Sequence, residues 1–158
     1  MTKIKITIDL AGVASDASAL LARAMAASPP EPQLQLRAIA VDAGSVAAMA
    51  SVMRGATVAL LGRYYDTMGA GTTQWAVTLS VPDWTRTADS TVLRDSLRRI
   101  MALMVAARLL EPTTCSEIAA IYNRQAALEA DTLCGLLDTL TSPVVPAPGK
   151  VRRPLHPF

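Results

Sequence analysis

The chain has 158 residues, a formal net charge of +2 and an apolar content of 51%. That apolar share and a positive mean hydropathy exclude a globally disordered polypeptide, and the length suits one domain with a real core. Aromatics are only 4% while alanine is abundant, which favours closely packed helices over an aromatic-rich sandwich.

The first element is a strand. Ile4, Ile6, Ile8 and Leu10 alternate with Lys3, Lys5, Thr7 and Asp9, a period of two. Asp16 or Ser15 is then placed to cap a short helix, Ala17–Ala27, which Ser28-Pro29-Pro30-Glu31-Pro32 ends. A second helix opens at Asp42 or Ser45 and runs to about Tyr65. Its apolar stripe is Val46, Met49, Met53, Ala56, Leu60 and Tyr64. Residues 68–73, Met-Gly-Ala-Gly-Thr-Thr, read as a flexible turn. Trp75, Val77, Leu79 and Val81 alternate with Ala76, Thr78 and Ser80 and give a second strand, ended by Pro82. Two lone strands are marginal, so they are expected to pair with each other against the helices or to augment a sheet in a neighbouring copy.

A third helix starts at Asp89 or Ser90 and reaches Leu110 or Glu111 before Pro112. It is apolar nearly all round, the mark of a central helix or of one with a second face buried in an oligomer. Thr114 and Glu117 have capping-box spacing for a fourth helix. Ile118, Ile121, Leu128, Leu136, Leu137 and Leu140 carry it to Thr141, and Ser142-Pro143 stops it. The expected fold is therefore mainly α: a four-helix bundle-like domain over residues 1–142 with a short two-stranded β element.

Residues 143–158 break with everything before them. They hold five prolines, Lys150, Arg152, Arg153, the single histidine His156, and no acid. Proline fixes φ and removes a donor, so this reads as an extended Pro-rich, basic C-terminal tail that takes its order from another surface. The body carries twelve Lys/Arg against thirteen Asp/Glu and is close to neutral. A basic footprint confined to a tail suits an acidic groove on a partner or nucleic-acid phosphates.

Residue types for catalysis or metal binding are sparse. His156 has no second histidine to work with, and there is no Cys-x-x-Cys or Cys/His cluster. Cys115 and Cys134, nineteen residues apart on one helical segment, would be ~28 Å apart and cannot pair within the chain. Asp9, Asp42, Asp66, Asp83 and Asp89 fall at element ends, where carboxylates cap helices and turns. Residues 100–110 are too few to span a bilayer and include Arg108, so a soluble chain without membrane contact is expected. No enzyme activity, cofactor or metal is expected. Candidate contacts are Trp84, a residue type common at interface hot spots, and the pair Arg98 and Arg99, which reads either as a phosphate contact or as a solvated helix face.

The order of elements resembles a group of small proteins of tailed phages and prophages of Bacteroides-type bacteria. The resemblance rests on the N-terminal strand and helix, Ile39–Asp42 before the second helix, and Val77-Thr78-Leu79-Ser80 on a strand. The two-helix end and Arg152-Arg153-Pro154 in the tail complete it. The group is similar to the helical head–tail connectors of the virion neck. The resemblance implies a structural protein, a portal adaptor that forms a homo-oligomeric ring between portal and tail proteins, contacting DNA at most non-specifically. Lys150, Arg152, Arg153, Leu155 and Phe158 would then dock the tail on a neighbour. Two alternatives stand beside it: a tail terminator or completion protein, and a small nucleic-acid-binding regulator using its basic tail.

Overall fold

A computed structural model describes residues 2–27, 39–82 and 90–141. Strand β1 (Thr2–Asp9) runs without a loop into helix α1 (Leu10–Ala26). Asp9 makes this possible by ending the strand in extended backbone while its carboxylate accepts a bond from Ala11 N at 3.3 Å. The expected helix over Ala17–Ala27 therefore starts seven residues earlier. Asp16, expected as a cap, instead lies on the helix and is ion-paired.

Short helix α2 (Ala43–Ala48) follows, capped as expected by Asp42, whose carboxylate accepts from Ser45 N at 2.7 Å. The helix expected to run unbroken to Tyr65 breaks at Met49, and α3 (Ala50–Leu61) continues from there. Gly62, at φ +54° and ψ −122°, ends α3 in a backbone conformation kept almost wholly for glycine. A 3-10 turn, Gly62–Tyr64, leads into β2 (Tyr65–Ala70), and β3 (Gln74–Val81) returns beside it. Helix α4 (Ser90–Leu110) and helix α5 (Ser116–Thr141) complete the described chain. Between them Thr113 Oγ1 ties the turn, donating to Leu110 O at 2.6 Å and accepting from Cys115 N at 3.1 Å.

The three strands lie in the order β1-β3-β2. Both outer strands are antiparallel to β3, so β1 and β2 are parallel with β3 inserted between them, a split β-α-β arrangement. The pairing of β1 with β3 is the first of the two arrangements the sequence pattern leaves open. The third strand is a correction. Residues 65–70 form β2 because Tyr65 and Met68 face the core opposite Leu79 and Val77, with a register shift between Tyr65 and Thr67. Only two apolar positions mark this strand, so no period of two shows in its sequence.

The expectation of a bundle-like domain needs a second correction. The chain is mainly helical, but α1, α3 and α4 rest on one face of the sheet and α5 packs on α4. The reason is the continuous apolar face made by Ile6, Ile8, Trp75, Val77, Leu79 and Val81, all buried, which only a helix layer can cover. Helix α4 is the centre of this layer, with Leu93, Leu97, Ile100, Met101, Val105 and Leu110 buried. No helix among the described residues is long and apolar enough to cross a membrane. Residues 143–158, including every tail position named above, and Trp84 lie outside the described residues.

Candidate functional site: an apolar groove between α1 and α5

The fourth helix buries a different face from the one its large residues suggest. Ala119, Tyr122, Ala126, Ala130, Leu133 and Leu137 face inward, while Ile121, Leu128 and Leu136 remain exposed, Leu128 by 60%. Small residues explain the choice. Ala119, Ala126 and Ala130 on α5 and Ala102, Ala106 and Ala107 on α4 are all buried where the two helices pack, and small side chains allow a close approach. The larger apolar residues are left along the outer flank.

That flank borders a groove of about 450 Å³ between α1 and α5, floored by α4. Leu20 from α1, Ala102 and Leu103 from α4, and Leu128 from α5 supply its apolar surface. Asp16, Arg23, Arg99, Gln125, Glu129 and Thr132 form the rim. Tyr122 fixes the width of the groove by donating its hydroxyl to Leu20 O at 2.7 Å, which ties α5 to the α1 backbone. Burial pushes the Tyr122 phenol above its ordinary pKa, so it stays a neutral donor across the physiological range.

The two arginines singled out in the sequence both reach this region, and both are engaged within the chain. Arg98 forks onto Asp16, Nε to Oδ2 at 2.8 Å and Nη2 to Oδ1 at 3.2 Å. The bonds to Asp16 hold the Arg98 guanidinium above its usual pKa. Gly12, one turn before Asp16, makes room for this pair, because a β-carbon there would lie 2.8 Å from Arg98 Cζ. Nothing in the sequence marked Gly12 as part of an arginine seat. Arg99 reaches Glu129 on α5 at 3.4 Å, across the floor of the groove. Asp16 answers Arg98 and Glu129 answers Arg99, so these two arginines are engaged within the chain.

A second cluster lies where α5 passes the start of β2. Asp138 accepts bonds from the Tyr64 hydroxyl and from Arg63, and the Arg63 guanidinium sits 4.9 Å from the Tyr64 ring centre. The Tyr64 bond first and Arg63 second hold the Asp138 carboxyl below the usual carboxylate range. The half-buried Cys134 is on the same helix, and burial pushes its thiol up, away from the reactive thiolate. Among the described residues no three His, Cys, Asp or Glu side chains gather as a metal site. What the groove can do chemically is bury apolar side chains of another chain segment within a rim of balanced charge. No family model, no curated protein and no solved structure matches this chain.

Proposed function

We propose that this protein is a structural subunit that works as a closed homo-oligomer, a connector ring of the kind found in the neck of tailed phages between portal and tail. The observation that carries the reading is the apolar flank of α5. Leu128, more than half exposed, stands at the mouth of a groove whose floor is apolar, with Ile121 and Leu136 along the same helix. Isolated exposed leucines are ordinary, but a row beside an apolar groove has the character of a docking surface.

The occupant we assign to the groove is the C-terminal segment of an adjacent copy. Leu155 and Phe158 supply the apolar anchors, and Lys150, Arg152 and Arg153 add second partners to Asp16 and Glu129, which already pair with Arg98 and Arg99 at the rim. Full burial of Leu155 and Phe158 contributes roughly 1.5–3 kcal/mol each. One such contact is weak, but closing a ring makes the last contact intramolecular and stabilises all of them together. A docked tail on one copy whose own tail docks on the next is a head-to-tail contact, the geometry that closes rings.

Deleting residues 143–158, and separately placing an acid in the groove by Leu128→Asp, tests this reading. Both changes leave the far-ultraviolet circular dichroism of the domain in place and abolish ring-sized particles in negative-stain electron microscopy. Rings that form normally from either variant contradict it. The portal-adaptor assignment adds that rings of the intact chain bind a purified portal of the same virion and that the truncated chain does not.

A further inference from the structure

The sheet has two outer edges, and they are unlike. On β2 the register breaks between Tyr65 and Thr67, and Arg54 Nη2 donates to Met68 O at 3.2 Å, so that edge is kinked and one of its acceptors is used. Such features block the addition of a strand. Strand β1 keeps an unbroken register with β3 over all eight residues, and from Lys3 to Asp9 no other described strand lies against its outer side. Ile6 and Ile8 are 2% and 0% exposed although they belong to an outermost strand, because α1 and α4 both pack on β1.

We propose that the outer edge of β1 pairs antiparallel with β1 of a second copy, joining two sheets into one of six strands about a two-fold axis through Ile6. The strand's own residues select this register. Centred on Ile6, Lys3 of one copy faces Asp9 of the other, Ile4 faces Ile8, Lys5 faces Thr7, and the two Ile6 residues meet. Lys3 and Asp9 keep their partners within the chain, Asp66 at 3.2 Å and Ala11 N at 3.3 Å, so the β-branched pairs placed directly across the strands are what stabilise this register. Centring on Lys5 sets two lysines opposite one another, and centring on Thr7 leaves only residues 5–9 in the pair. A shift by one residue puts the lysine face of one strand level with the isoleucine face of the other. Lys5 therefore acts as the register selector, and Ile4, only partly buried in the single chain, gains cover from the partner.

This contact rests on no part of the groove reading. Tail docking runs head to tail, whereas strand pairing is two-fold and closes on two copies. The test is sedimentation equilibrium of the full chain with Thr7→Lys and Thr7→Glu. Thr7 lies on the open sheet face opposite Ala76, away from the core and the groove. Thr7→Lys sets a lysine against Lys5 twice per pair and weakens the two-fold association roughly tenfold, while Thr7→Glu strengthens it, with circular dichroism unchanged in both. An intact chain that shows no two-fold association, equal association by all three chains, or a change of the same sign in both variants overturns the proposal. Deletion of residues 143–158 leaves this association constant as it was. Loss of the ring with retention of the pair therefore separates failure of one contact from failure of the other.

Discussion

Trp75 is the largest fully buried side chain, and its indole Nε1 finds no hydrogen-bond partner among the described residues. A buried donor left without a partner costs about 1–3 kcal/mol, so part of what the ring gains by burial is given back. Trp75→Phe removes the donor and keeps most of the ring. Its cost in urea unfolding is expected below about 1 kcal/mol, against roughly 3–5 kcal/mol for Trp75→Ala. Gly62 tests the backbone without confounding contacts, since a β-carbon there meets nothing within 4 Å. Gly62→Ala is expected to destabilise by about 1–3 kcal/mol from conformation alone, read as a lower urea midpoint at constant slope. Asp138 carries a pH signature. Its carboxyl is held low in the folded chain, so it contributes stability above the unfolded value near 3.9. That contribution disappears as pH falls through the folded value. Asp138→Asn should therefore flatten the loss of stability below about pH 4, and parallel acid limbs for the two proteins would contradict the assigned network.

At the scale of elements, what was legible in the sequence depended on whether one pattern dominated. Strands β1 and β3 were legible because each alternates cleanly for seven or eight residues and buries one face. Strand β2 was not, because Gly69 and a register shift leave only Tyr65 and Met68 as inward markers. The start of α1 was obscured because Asp9 serves strand and helix at once, and a reading that expects a loop between elements passes over it. The break at Met49 follows no proline or glycine, and the position has no side-chain cap to announce it. For α5 the large residues misled, since the close approach of alanines on α4 and α5 decides which face turns inward. The groove follows from that choice and so could not be read from residue size. Arg98 and Arg99 were visible as a pair, but their carboxylate partners on α1 and α5 come from positions 82 and 30 residues away in the chain.

For the molecule as a whole, the proposed contacts with other copies use the apolar row on α5, the groove beside it and the outer edge of β1, which no other described strand covers. The two contacts have different symmetry, which makes the assembly state a sharper readout than any single affinity. A chain using only tail docking gives single rings, one using only β1 gives dimers, and one using both gives paired rings. The pairing of Arg98 with Asp16 and of Arg99 with Glu129 adds an expectation about nucleic acid. Duplex DNA at low salt should bind no better to the wild type than to an Arg99→Gln variant, because Arg99 is already answered by Glu129. The most direct measurement is native mass spectrometry of the purified full-length chain. Closed oligomers of more than two copies are predicted, falling to two copies when residues 143–158 are removed. A monomer at every concentration tested, with or without those residues, would contradict the account.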